Sequence, residues 1–236
     1  MMNNQPVIFC IPGLGLDRRM FERLDLHPFQ VEYLDWIEPQ GWETLEIYAR
    51  RLAGPILECQ SEVIIIGHSF GGVVAQEISC ITPVKQIILI SSTIENREMP
   101  WRLRLLSRYS LYKLVTRTAM LASFTVWSRT HGFRTRELRT IFRESVGKLS
   151  THYFHWSLKR LADWNGVQQT HTPTVRIHGT KDLTFPRNLI RHIDHEVHGG
   201  DHAMVHRRAG EVSARLHAEL RKLTSVNPES ASKRFF

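Results

Sequence analysis

The chain has 236 residues, 42% of them hydrophobic and 23% charged, which is ordinary globular composition with length enough for one α/β domain carrying an insertion. No run approaches the ~20 apolar residues of a membrane span, and the start, Met1-Met2-Asn3-Asn4-Gln5-Pro6, has neither a basic nor an apolar leader region, so a cytoplasmic protein is expected. Three well-separated cysteines, Cys10, Cys59 and Cys80, argue against a disulfide scaffold and read as buried thiols in a reducing compartment; the net charge of +8 calls for a location before it calls for a partner.

Taken in chain order, the pattern alternates. A strand at 6–11 runs into Pro12-Gly13-Leu14-Gly15-Leu16, followed by a helix at 17–24, a strand at 31–35 and a helix at 42–58. The continuous β-branched run Val63 to Ile66 is a strand buried on both faces, and residues 70–80 form a helix packing back onto it. A strand at 85–91 ends near Ser91-Ser92. Residues 95–165 are an insertion without strand pattern. Strands at 173–178 and 194–198 flank a helix at 186–192. In the last helix, 203–222, Val205, Ala209, Val212, Leu216 and Leu220 recur at helical spacing. Residues 224–236, rich in Ser, Asn, Pro and charge, read as a disordered tail. The alternation predicts an α/β fold: a mostly parallel central sheet with helices on both faces and a helical cap insertion.

The chemistry concentrates at Gly67-His68-Ser69-Phe70-Gly71-Gly72. A strand that turns at once into a helix puts one residue at an exposed apex, and small neighbours let the two backbones approach, which makes Ser69 the candidate nucleophile. The plainer reading is a serine that caps the helix. A serine hydroxyl needs a base and a group to orient that base. Asp182 lies in the polar loop after the strand through Val175 to His178, at the sheet edge where ligand groups of open α/β sheets collect, and His202 lies after Gly199-Gly200 in a loop before the last helix. His198 is the rival base, and Asp201 and Asp163 are rival acids. Backbone N–H groups of Leu14 and Phe70 are the candidate oxyanion donors; the plain alternative for the first is an ordinary βα turn with its helix starting at Asp17.

Together Pro12-Gly13-Leu14-Gly15, the Ser69 turn, His178-Gly179-Thr180-Lys181-Asp182 and Gly199-Gly200-Asp201-His202 resemble the α/β-hydrolase superfamily over about residues 5–222. The order Ser69, Asp182, His202 is the one described for that superfamily. The resemblance implies hydrolysis of an ester, thioester or amide without metal or organic cofactor. One departure is Pro12, where many relatives carry histidine; the donor there is a backbone group, so the change bears on loop stiffness. The alternative within the same fold is a non-hydrolytic ligand-binding protein or a lyase.

The charge has an address. Residues 95–165 hold 14 Lys or Arg against 5 Asp or Glu and 11 of the chain's 22 aromatics, while the remainder is close to neutral. Trp101, Leu105, Tyr109, Tyr112 and Val115 fall near one face of a helix carrying Arg102, Arg104, Arg108, Lys113 and Arg117. Such a surface suits an anionic small-molecule acyl substrate or an anionic membrane; the plain reading is a solvated lid with no partner, and nucleic acid is not expected. The series His192, His195, His198, His202, His206 spans a helix end, a strand, a loop and a new helix, and so does not converge on a metal. His68 and His178 read as packing and hydrogen-bonding residues.

Overall fold

Continuous runs of Val, Ile and Phe build the centre of the sheet. The computed structural model describes residues 5–129, 131–167 and 171–225. Six parallel strands, β1 (Val7–Ile11), β2 (Gln30–Tyr33), β3 (Val63–His68), β4 (Gln86–Ile90), β5 (Thr174–Gly179) and β6 (His195–Val197), lie in the order β2-β1-β3-β4-β5-β6. The inner strands β1, β3 and β4 are buried along their whole length, whereas the edge strand β2 alternates and β6 is three residues long. The chain first builds outward from β1 to β2, then returns past β1 to β3, so the order reverses between β1 and β3. A crevice outside the carboxyl ends of the strands belongs at such a switch point.

The pleat divides the core in two. Val7, Phe9, Ile11, Ile65 and Leu89 face α1 (Leu45–Leu52) and α3 (Phe70–Ser79), while Ile8, Cys10, Ile64, Ile66 and Ile88 face the C-terminal helices α8 (Met204–Arg207) and α9 (Ala209–Ser225). Val205, Ala209, Val212, Leu216 and Leu220 are all buried.

Several helices are shorter than their periodicity suggests. The helix expected at 17–24 is one 3-10 turn, Arg18–Met20: the N–H groups of Met20, Phe21 and Leu24 donate to the oxygens three residues back, of Asp17, Arg18 and Phe21, and not four. The helix expected at 42–58 divides into α1 and α2 (Gly54–Leu57), because Pro55 has no N–H to continue the ladder. The helix expected at 186–192 is the single 3-10 turn Arg187–Leu189; Ile190 is extended and the Arg191 N–H donates to Glu98 Oε1, at 3.1 Å, in place of a helical carbonyl. The last helix breaks at Arg208 and runs through Ser225, two residues into the stretch read as a tail; residues 226–236, like residues 1–4, lie outside those described. Of the cysteines only Cys10 is buried. Cys59 is half-buried and Cys80 exposed, since both fall at helix ends on the surface, and none is disulfide-bonded.

Between β4 and β5 the chain inserts α4 (Trp101–Arg108), α5 (Arg117–Trp127), α6 (Arg136–Lys148) and α7 (Thr151–Asp163). Thr116, Thr135 and Ser150 cap the last three through side-chain oxygens. The basic amphipathic helix expected over 101–117 is not continuous: Ser110 adopts a left-handed backbone (φ 54°), and a 3-10 turn, Leu111–Leu114, separates α4 from α5. Of the apolar residues named for that face, Trp101 and Tyr109 are exposed, whereas Leu105, Tyr112 and Val115 are half-buried. Phe124, Phe142, Tyr153 and Phe154 join the core on the α9 side. The insert is pinned at its start by Glu98, whose carboxylate meets the Arg176 guanidinium of β5 in two bonds of 2.8 and 2.6 Å and also accepts the N–H groups of Ile94 and Arg191. Among the described residues no helix is long and apolar enough to cross a membrane.

Candidate active site

Ser69 sits between β3 and α3 with φ 54° and ψ −122°, a conformation that costs a non-glycine residue on the order of 1–3 kcal/mol. Its neighbours make the turn feasible. A Cβ on Gly67 would lie 2.4 Å from the Gly72 Cα, and one on Gly71 would lie 2.2 Å from the Ile11 oxygen. The bend is held by the Ser69 N–H donating to the Ile90 oxygen (3.0 Å) and by the Ser92 hydroxyl donating to the Ser69 oxygen (2.7 Å). The Ser69 side chain makes no helix-capping bond, so the plain capping role does not hold; the hydroxyl lies 2.9 Å from His202 Nε2.

His202 and Asp182 arrive on two loops stitched together by backbone bonds. Thr180 N–H donates to the Val197 oxygen (3.1 Å) and Lys181 N–H to the Gly200 oxygen (2.8 Å). The approach is close enough that a Cβ on Gly179 would lie 2.3 Å from that same Gly200 oxygen. Asp182 Oδ2 accepts the His202 Nδ1–H at 2.9 Å, while Oδ1 accepts the N–H groups of Thr184 (2.8 Å) and Phe185 (3.0 Å). In the neutral imidazole this tautomer leaves Nε2 of His202 to accept the Ser69 hydroxyl proton. Burial alone would raise the Asp182 carboxyl; the His202 charge and hydrogen bond, His178 and the Phe185 N–H outweigh it and hold the group at about 2.

The remaining histidines have separate partners. Burial, helped by the neighbouring His202, pushes His68 down to about 3, so it is neutral, and its Nε2–H donates to the His202 main-chain oxygen at 2.9 Å. Its ring stands 5.1 Å from that of His202. His178, also lowered by burial, donates from Nε2 to the Phe185 oxygen at 2.8 Å. His192 faces Asp194, His195 faces Glu219, His206 faces Glu137 and His198 is exposed, so the series points in different directions. Asp201 pairs with Arg207 and Asp163 with Lys159, which removes both as orienters of His202.

Leu14 and Phe70 follow β1 and Ser69, at the switch point. Among the described residues neither N–H has an acceptor within the protein. Sequence reasoning did not foresee what sets the first of them. The Gly13 oxygen accepts two bonds of 3.0 Å, from Leu16 N–H and from Trp36 Nε1–H, and in a trans peptide the Leu14 N–H therefore points away from the indole. Trp36 also packs 5.5 Å from the Phe70 ring. No motif marks Trp36; it comes from the loop after the edge strand β2, and only the fold brings it to the turn.

A model of the alpha/beta hydrolase family matches residues 7–215. No curated protein matches the sequence. Similar solved structures include a thermophilic esterase from Thermogutta terrifontis (17% identity, TM-score 0.62, 93% of this chain and 91% of that one). A Bacillus megaterium epoxide hydrolase (12%, 0.71, 92% and 93%) and a hydrolase from Oleispira antarctica (15%, 0.70, 92% and 91%) are also similar. At these identities the likeness is one of fold.

Proposed function

From a chain that belongs to the alpha/beta hydrolase family, we propose a serine hydrolase that cleaves a carboxylic ester, thioester or related acyl bond through an acyl-enzyme. The observation that carries the reading is the line from Ser69 Oγ through His202 to Asp182, with both hydrogen bonds at 2.9 Å. His202 takes the hydroxyl proton as Ser69 attacks the acyl carbon, and Asp182 steadies the imidazolium that forms. The N–H groups of Leu14 and Phe70 hold the oxyanion; one such donor typically lowers the barrier by about 2.7–4 kcal/mol. His202 returns the proton to the leaving group, and water, activated by the same histidine, releases the acid. No metal or organic cofactor enters this scheme.

Residues 95–165 serve in this reading as a helical cap that selects the acyl substrate, supported by the start of the insert after the carboxyl end of β4 and by Asn96, whose Nδ2–H groups donate to the main-chain oxygens of Ala162 (3.2 Å) and Trp164 (3.1 Å) and bring its two ends together. The free thiol of Cys59 fits a reducing, cytoplasmic setting. The test is labelling by a serine-directed fluorophosphonate together with turnover of p-nitrophenyl esters. Both are expected for the natural chain and neither for Ser69→Ala; labelling that survives in Ser69→Ala overturns the assignment.

A further inference from the structure

A cleft of about 890 Å³ lies against the two loops that carry Asp182 and His202. Its lining includes Thr180, Lys181 and Leu183 around Asp182, Gly199 and Asp201 ahead of His202, and Arg129 and Arg134 from the cap. Six cations line it, Arg129, Arg134, Arg139, Lys181, Arg207 and Arg208, against the one carboxylate of Asp201. Arg207 is paired with Asp201, and Arg208 with Glu211 outside the cleft. The other four have no carboxylate partner among the described residues. Arg134 and Arg139 are instead steadied by their Nε–H groups, which donate to the main-chain oxygens of Arg129 (3.0 Å) and Phe133 (3.3 Å) and leave the outer guanidinium nitrogens uncommitted by those bonds.

We propose that this cleft binds a phosphate-bearing leaving group of the acyl substrate. The inference rests on the acyl-transfer reading. His202 hands its proton to the departing atom, so the leaving group exits on the His202 side, and the residues flanking His202 and Asp182 are the ones that wall the cleft. Four uncompensated cations around one concavity call for more than a single negative charge, and the planar guanidinium fork matches phosphate oxygens two at a time. The volume is in the range of a nucleotide-sized ligand and far beyond a lone carboxylate. In the reaction the Ser69 Oγ–acyl bond forms, the acyl–sulfur or acyl–oxygen bond breaks, the serine proton passes through His202 to the departing atom, and the phosphate stays intact.

A matched pair of thioesters tests this, butyryl-coenzyme A against butyryl-N-acetylcysteamine, which present the same scissile bond with and without phosphates. The readout is the ratio of their kcat/KM values. A ratio above about ten at low salt is expected, falling about tenfold between about 0.02 and 0.5 M salt, because screening acts only where charge guides or holds the substrate. The double variant Arg134→Gln/Arg139→Gln should lower the ratio by about tenfold or more, and inorganic pyrophosphate should compete with the charged thioester. A ratio near one that neither salt nor the variants move overturns the proposal, and the natural chain's salt curve decides even if the variants fold poorly. Binding to anionic vesicles without discrimination between the thioesters also overturns it, in favour of a membrane contact. Failure of fluorophosphonate labelling would sink the hydrolase reading instead. The cleft would then stand or fall on calorimetric binding of pyrophosphate, with no binding at about 10 mM counting against it.

Discussion

Replacing Asp182 by Asn tests the proposed control of the base, His202, by the acid. Oδ1 of Asp182 faces two backbone donors, the N–H groups of Thr184 and Phe185, so the oxygen of an asparagine amide must take that place and its NH2 group must face His202 Nδ1. Donor then meets donor. His202 relieves the conflict by moving its proton to Nε2, where an N–H points at the Ser69 hydroxyl and no longer accepts its proton. Loss of the correct tautomer is worth about 10⁴ in kcat, roughly 5 kcal/mol of barrier. The two backbone bonds survive, so folding stability should change by less than about 2 kcal/mol. Steady-state turnover of p-nitrophenyl acetate and a denaturant melt on the same sample measure the two numbers. An Asp182→Asn variant within about tenfold of the natural rate would refute the tautomer argument; one that had lost several kcal/mol of stability would show that the acid is structural.

Ser69→Gly should abolish turnover while raising the melting temperature by a few degrees, since glycine accepts φ 54° without the strain of about 1 kcal/mol or more that serine bears; a lower melting temperature counts against strain at the turn. His68 remains neutral in the folded protein down to about pH 3, whereas the unfolded chain protonates it near 6.5, so stability should fall as pH drops through that window, by up to about 1.4 kcal/mol per unit. His68→Gln, whose side-chain N–H can still donate to the His202 oxygen, should flatten the slope by one proton, and parallel pH curves for the two proteins would refute this. Glu98→Gln leaves the Arg176 charge buried without its counter-ion and should destabilise by about 3–5 kcal/mol, read as a denaturant midpoint; a loss under about 1 kcal/mol would mean that the pair is dispensable.

What the sequence made legible follows from where the physics is local. All six strands are near their expected places, because an unbroken Val63-to-Ile66 run or its like has few alternatives to a buried strand. The Ser69 turn is equally local: its glycines announce a close backbone crossing within six residues. Helix ends were less legible. The expected helix at 42–58 passed over Pro55, a local signal of the break, but the end of the turn at Arg187–Leu189 depends on Glu98, some ninety residues away, taking an N–H that a helix would have used. Trp36 and Glu98 left no local trace, since each matters through a partner that only the tertiary fold supplies. The cleft of arginines was half legible: composition located the excess charge in residues 95–165, while Lys181, Arg207 and Arg208 come from the other side of the fold.

The peptide between Gly13 and Leu14 behaves as a rigid lever. Its carbonyl end is tied down twice, once by its own turn and once by the indole of a residue 23 positions later. Rotating the N–H end toward or away from a substrate would break both ties together, so the donor is aimed before any substrate is present and has little freedom to follow one. Under the proposed acyl-transfer reading an acyl group must therefore come to the donor, and a substrate whose carbonyl reaches Ser69 at the wrong angle forfeits that stabilisation. On this view Trp36, remote from the chemistry in sequence and making no bond to the reacting atoms, decides which approach angles are productive. Discrimination between good and poor substrates should then appear in the chemical step rather than in the strength of binding.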